Sequence, residues 1–341
     1  MKKSVLIINT GGTIGMKPTS QGLIPQPGYL AEKMRQIEEL GEPTMPEFGI
    51  LEYDPVIDSA DMTTEHWSRM ADDIASRHDQ YDGFVVLHGT DTMAYTASAL
   101  AFMLPGLRKP VLLTGSQLPL AQARNDAREN LKTAMMLAAD FEIPEVCLFF
   151  GDKLFRGCRT TKVSTSRLDA FESPNFPPLG VIESNIEIRT DLIRRPPDTA
   201  GPLQAQSLNP AEIATYRLYP GMSLAILRNL LQPPLRALVL EAYGSGNGPA
   251  LNGEFLQIAT DGSRRGMVVV LCTQCRHGRL DPACYATGKA LLETGAVSAH
   301  DMTLEATLTK LMFLFTHESQ PERVRRQFQE NLVGEITPDR N

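Results

Sequence analysis

Short apolar runs alternate with amphipathic helical stretches over the first 150 residues, and this alternation limits the fold more than any other feature of the chain. Val5–Ile8, Phe48–Leu51, Phe84–Leu87, Val111–Thr114 and Val146–Phe150 read as strands. Between them, Trp67, Met70, Ala71, Ile74 and Ala75 fall on one face of a helix, and Thr92–Leu104 and Ala127–Ala139 are further helices. Strands separated by helices cannot pair as hairpins, so the pattern predicts an α/β fold with a mostly parallel sheet flanked by helices. From about 173 to 213 the pattern loosens and prolines recur, among them Pro174, Pro177, Pro196, Pro197 and Pro210, which predicts a connecting region. Strand patterns at Leu235–Ala242 and Met267–Leu271 then resume with helices at Ser223–Leu231, Thr303–Phe315 and Pro321–Leu332. With 341 residues the chain is long for one core. The expected division is a larger N-terminal domain over 1–190, a linker over 191–213 and a smaller α/β domain over 214–341.

In such sheets ligands bind beyond the carboxyl ends of the strands, so the loops after the strands are where chemistry is expected. The first is Asn9-Thr10-Gly11-Gly12-Thr13-Ile14-Gly15-Met16. Thr10 stands where a dinucleotide fingerprint needs its first glycine, and no Gly-Lys-Ser/Thr follows for a phosphate loop. What remains is a glycine turn that brings backbone close to a ligand, with Thr13 either exposed for chemistry or buried and hydrogen-bonded. The second loop, His88-Gly89-Thr90-Asp91-Thr92, joins a strand to a helix; Asp91 or Thr92 there can be a simple helix cap. Two threonine-bearing turns at one sheet edge suggest a hydrolytic site built on hydroxyl groups.

The net charge is −7 with no long run of either sign, which argues against nucleic acid or an anionic membrane surface as partner. No leader-like segment and no membrane-length apolar stretch is found. The five cysteines, Cys147, Cys158, Cys272, Cys275 and Cys284, are expected to be free thiols in a reducing cytoplasm. Cys272 and Cys275 form a lone CxxC, which without a second pair is weak evidence for a metal or redox site, and structural thiols are the expected reading.

The Thr10–Gly15 and His88–Leu100 segments resemble the two signature segments of the bacterial-type L-asparaginase family, and the stretches around Ser59, Ser116, Arg159 to Lys162, Tyr243 to Asn247 and Asp301 to Leu311 fall in the expected order along nearly the whole chain. The form of these motifs is most similar to the cytoplasmic type I branch. The resemblance implies hydrolysis of L-asparagine to L-aspartate and ammonia, with no cofactor and no metal. It implies that Thr13 is the nucleophile, that Thr90, Asp91 and Lys162 form a second catalytic cluster, and that Ser59, Thr90, Asp91 and Asn247 bind the substrate. Asn247 would reach into a neighbouring subunit's site, in a homodimer or a dimer of dimers. Covalent catalysis would split the amide cleavage into acylation and deacylation, with backbone N–H groups near the glycine turn or the Thr92 helix stabilising the oxyanion. A lysine serves as base only where desolvation favours its neutral form. Read without the resemblance, Lys162 is a solvated side chain in a basic loop with Arg156 and Arg159. His88 is read as structural.

The chain departs from the family pattern at Leu23, where many members carry a tyrosine in a mobile loop. Tyr285 is the candidate replacement, with a core or interface aromatic as the other reading. Residues 16–28 are expected to act as a lid. Two other functions stay open: a glutaminase or ammonia-supplying transamidation subunit of the same fold, which usually bears an added N-terminal domain where this sequence starts at its first strand, and a non-catalytic amino-acid sensor. Thr13, Thr90, Asp91 and Lys162 together speak against the sensor.

Overall fold

The structure, a computed structural model, describes residues 2–20, 22–195, 201–249 and 253–338. Gln21 of the expected lid, Pro196 and Pro197 of the expected connection, and the far C-terminus of the expected second domain lie outside the described residues. The chain forms two compact units, Met1–Ser173 with Pro177–Gln206, and Pro174–Phe176 with Ser207–Asn341.

The first unit is built on β1 (Ser4–Gly11), a hairpin of β2 (Met16–Thr19) and β3 (Gly22–Pro25), α1 (Tyr29–Met34), β4 (Glu47–Ile57), α2 (Thr64–Arg77), β5 (Gly83–Leu87), α3 (Met93–Met103), β6 (Val111–Thr114), α4 (Ala127–Asp140), β7 (Val146–Phe150) and β8 (Lys153–Arg156). Short pieces follow: β9 (Thr161–Lys162), β10 (Phe171–Glu172), β11 (Gly180–Ile182) and β12 (Ile186–Ile188). The main sheet runs in the order β12-β11-β8-β7-β6-β5-β1-β4. β4, β1, β5, β6 and β7 are parallel, with Ile7 opposite both Ile50 and Val85, and the β7–β8, β8–β11 and β11–β12 pairs are antiparallel. The expected parallel sheet is present.

Parallel strands covered on both faces read as continuous apolar runs, and here Val5, Ile7, Ile8, Phe84 to Leu87, Val111 to Leu113 and Cys147 to Phe149 are shut off from solvent. The α2 face of Trp67, Met70, Ala71 and Ile74 is buried as its spacing requires. α3 is buried nearly all round because its residues are small or apolar on every side. The sequence reading missed β11 and β12, which continue the main sheet inside the segment expected to be loose. They are only three residues long, Gly-Val-Ile and Ile-Glu-Ile, in a proline-rich stretch, too little for a periodic signal. The expected helix Pro321–Leu332 is shorter in the structure.

The second unit holds a parallel four-stranded sheet of β13 (Ile213–Arg217), β14 (Ala237–Ala242), β15 (Val268–Thr273) and β16 (Val297–Ser298), with α5 (Leu224–Leu230), α6 (Glu254–Arg264), α7 (Ala286–Glu293), α8 (Leu304–His317) and α9 (Pro321–Phe328). Its core joins Leu227, Leu238, Leu240, Phe255, Ile258, Val269, Leu271 and Leu291. No helix among the described residues is long and apolar enough to cross a membrane.

Candidate active site

The carboxyl ends of β1, β4 and β5 meet through glycines. Gly11 has φ +130°, and a Cβ there would lie 2.3 Å from the Ile57 carbonyl oxygen at the end of β4. Gly12 has φ +89°, and its Cβ would lie 2.4 Å from the Gly89 nitrogen. A Cβ on Gly89 would in turn lie 2.4 Å from Ser59 Oγ. No side chain fits in any of these gaps, so the three turns touch backbone to backbone or backbone to hydroxyl. The tandem glycines of the first loop therefore serve close approach between protein segments.

Thr13 follows Gly12 directly and opens a single 3₁₀ turn, Thr13–Gly15, in which Ile14 is buried and Thr13 half-buried. Thr10 is the buried threonine of this loop, donating from Oγ1 to the Leu87 carbonyl at 2.8 Å. The Ile14 carbonyl accepts from the Leu120 N–H at 3.2 Å, so the loop after β6 braces the turn from the other side. That loop is held by Asp126, whose carboxylate accepts from Gln117 N–H and Leu118 N–H, both at 2.9 Å.

Ser59 is buried in the turn after β4, where Asp58 accepts from the Ala60 N–H at 3.0 Å. Its carbonyl accepts from Thr92 Oγ1 at 2.7 Å, tying β4 to the start of α3. The Thr92 hydroxyl is committed to this link and makes no capping bond at the head of α3.

Lys162 Nζ donates to Thr90 Oγ1 and to Asp91 Oδ1, each at 2.7 Å. Its side chain is 19% exposed, whereas that of Asp91 is 69% exposed. The reading of Lys162 as one solvated cation in a basic loop does not hold: Arg156 is buried and paired with Glu145 at 2.5 and 3.0 Å, Arg159 is buried, and Lys162 is engaged with two partners. Lys162 sits in β9, paired with Phe171 of β10. Gln117 Nε2 reaches the Arg167 carbonyl at 3.0 Å, joining the loop after β6 to the segment that carries Lys162.

Below the Thr90 turn lies His88, fully buried. Its Nδ1 is 2.7 Å from the Gly89 carbonyl and its Nε2 is 2.8 Å from Thr96 Oγ1 on α3. Thr96 Oγ1 also accepts from Trp67 Nε1 at 2.9 Å. Burial pushes the His88 imidazole down to about 4, against the opposing pull of the Gly89 carbonyl. The ring is therefore neutral at ordinary pH.

Thr13, Ser59, Thr90, Asp91 and Lys162 thus stand on a continuous series of contacts at one edge of the sheet: Gly12 touches Gly89, Gly89 touches Ser59, and Thr90 holds Lys162. The other expected residues belong to the second unit. Asn247 closes the turn after β14, donating from its backbone to the Tyr243 carbonyl at 2.9 Å, while its Oδ1 accepts from the Gly248 N–H at 3.0 Å. Tyr285 precedes α7 and is 51% exposed, so it is not a core aromatic. Leu23 is exposed on β3. The segment expected to be a lid is a hairpin whose exit, at Gly28, donates its N–H to the Glu52 carboxylate; Glu52 also accepts from Asn9 Nδ2 at 2.9 Å. The glycine contacts, the Asp126 brace and the His88 chain escaped the sequence reading, since each rests on how backbone and side chains are oriented in space, which residue spacing does not encode.

No group of three or more His, Cys, Asp or Glu side chains that could hold a metal occurs among the described residues. Cys272 is buried, and burial followed by Glu241 pushes its thiol up to about 12, while Cys275 is exposed. The arrangement at the sheet edge offers an alcohol beside a glycine turn, and near it an amine hydrogen-bonded to a second alcohol and an acid. Such a set suits nucleophilic attack on a small amide.

Two family models match the chain: "Asparaginase, N-terminal" over residues 4–194 and "Glutaminase/Asparaginase C-terminal domain" over residues 212–328. The sequence is 49% identical over 338 residues to "L-asparaginase 1" of Escherichia coli strain K12, covering 99% of each chain. It is similar to the crystal structure of L-asparaginase I from Vibrio cholerae, with a TM-score of 0.91 and 43% identity over 99% of this chain and 100% of that one. It is also similar to the thermostable L-asparaginase from Thermococcus kodakarensis, with a TM-score of 0.87 and 33% identity over 98% of this chain and 100% of that one.

Proposed function

The chain belongs to the asparaginase family, and from that premise we propose that it hydrolyses L-asparagine to L-aspartate and ammonia with Thr13 as the nucleophile. The observation that carries this reading is the placement of Lys162 Nζ 2.7 Å from both Thr90 Oγ1 and Asp91 Oδ1, on the turn that abuts the Thr13 turn.

The Thr13 hydroxyl attacks the side-chain amide carbon. A C–O bond forms, the C–N bond breaks, and the hydroxyl proton leaves with ammonia, giving an ester on Thr13. Water then attacks the ester, and its two hydrogens go to the released acid and to Thr13. Neither a threonine alcohol nor water is a good nucleophile at neutral pH, so both steps need a proton acceptor. Lys162 fills that role through the Thr90 hydroxyl, and Asp91 fixes the direction of its amine. The negative charge on the attacked oxygen is met by backbone N–H groups of the abutting turns.

A small zwitterion offers few atoms to hold. Its ammonium is bound by the exposed Asp91 carboxylate and its carboxylate by Ser59, with Thr90 beside the amide. A second copy of the chain completes the site, with Asn247 reaching across to the substrate. Tyr285, exposed before α7, supplies the hydroxyl that Leu23 lacks. None of the five cysteines is in a disulfide, which supports a reducing compartment, the cytoplasm.

Ammonia release from asparagine and from glutamine, by wild type and Thr13→Ala, tests this reading. Asparagine should be the much better substrate, and the variant should lose about 10⁴-fold or more in kcat. Substantial turnover by Thr13→Ala removes the nucleophile assignment, and binding of asparagine without turnover by wild type makes the protein a sensor.

A further inference from the structure

The hydrogen bonds around His88 have only one consistent direction. An indole N–H can only donate, so Trp67 donates to Thr96 Oγ1. A carbonyl can only accept, so the proton of the neutral imidazole sits on Nδ1 and is given to Gly89. Nε2 is then an acceptor, and the single hydrogen of Thr96 goes to it. The chain runs from Trp67 through Thr96 and His88 to the Gly89 carbonyl, with bond lengths of 2.9, 2.8 and 2.7 Å.

The last bond fixes a peptide plane at the site. In a trans peptide the C=O and the following N–H point in opposite directions. With the Gly89 carbonyl turned inward to His88, the Thr90 N–H is turned outward, away from the core. That N–H makes no hydrogen bond among the described residues, although the Thr90 side chain is buried and engaged with Lys162. Backbone donors in such a place are nearly always satisfied, so a free one at a reactive edge marks a binding position.

We propose that His88, held by Thr96 and Trp67, is a positioning residue that sets the Gly89–Thr90 peptide so that the Thr90 N–H donates to the substrate's carbonyl oxygen as negative charge develops on it. The proposal rests on the hydrolase reading above. An apolar side chain of similar size would fill the cavity of His88 and leave the peptide free to turn. The neutral state of the ring suits the role, because a protonated Nε2 could no longer accept from Thr96.

Thr96→Val removes the hydroxyl and keeps the shape. It should lower kcat on asparagine by about 10- to 100-fold, below the full loss of an oxyanion donor, with KM changed by less than about threefold. Thr96→Ser keeps the hydroxyl and should restore kcat to near wild type. ¹⁵N NMR of wild type should find His88 neutral with its proton on Nδ1. Should Thr96→Val not fold, Trp67→Phe, which removes the indole N–H at the head of the chain together with part of the ring system, should show the same split of kcat from KM to a lesser degree. Unchanged kcat in the variants, equal losses in Thr96→Ser and Thr96→Val, or a proton on Nε2 each overturn the positioning role while wild type remains active. A wild type that releases no ammonia from asparagine overturns the hydrolase reading, and this proposal with it.

Discussion

His88 links the site to the stability of the first unit. Its imidazole is charged below about 6.5 in an unfolded chain but, because of burial, only below about 4 in the folded one. Between those values the unfolded state binds more protons, so stability falls as the pH drops through this window and is independent of this group above it. The full loss for His88 alone is about 3 kcal/mol. His78, also depressed by burial, acts in the same direction. Urea denaturation at pH 7.5 and at pH 5 should show the midpoint lower at pH 5; an equal midpoint contradicts the buried neutral ring. Thr13, Thr90 and Asp91 were legible in the sequence as polar groups in turns after strands, whereas Lys162 was legible only through the family resemblance. The contact of Gly12 with Gly89 was not legible, since backbone atoms meeting across 77 positions leave no pattern of side chains.

At the level of elements, the loop between β6 and α4 is the support of the Thr13 turn. Asp126 gathers the Gln117 and Leu118 N–H groups, and Leu120 in the same loop donates to Ile14. Asp126→Ala removes two backbone bonds at 2.9 Å and a longer one from Asn130 Nδ2 at 3.4 Å, and leaves those donors without that acceptor. The change should cost about 2 kcal/mol of stability, with Asp126→Asn less harmful. Urea midpoints give the first comparison, and ammonia release should fall several-fold in the alanine variant, about the effect of loosening a support. Unaltered turnover with the expected loss of stability would detach this loop from the site. β5, β6 and β7 were readable from their apolar runs, as central parallel strands usually are. β11 and β12 were hidden by prolines and by their shortness, and the hairpin β2–β3 gives no strand signal because its strands are four residues long and broken by glycine and proline.

For the molecule as a whole, the two units each carry their own sheet and core. The expectation that a second copy lends Asn247 to the site can be tested with two variants. Thr13→Ala and Asn247→Ala chains should each be impaired alone. Mixed after reversible dissociation, they form hybrid dimers in which one of two sites has both residues, so about a quarter of wild-type activity returns. Mixing that restores nothing assigns Asn247 to its own chain.

The meeting of Gly12, Gly89 and Ser59 also sets a limit on how such a catalyst can be altered. The spacing between the Thr13 turn and the Thr90 turn that holds Lys162 is kept by a spacer one hydrogen atom thick, and even a methyl group would wedge the two turns apart. Variants selected for bulkier amides must therefore leave these places untouched and change the exposed hairpin instead, where Leu23 and Ile24 face solvent and size can vary freely.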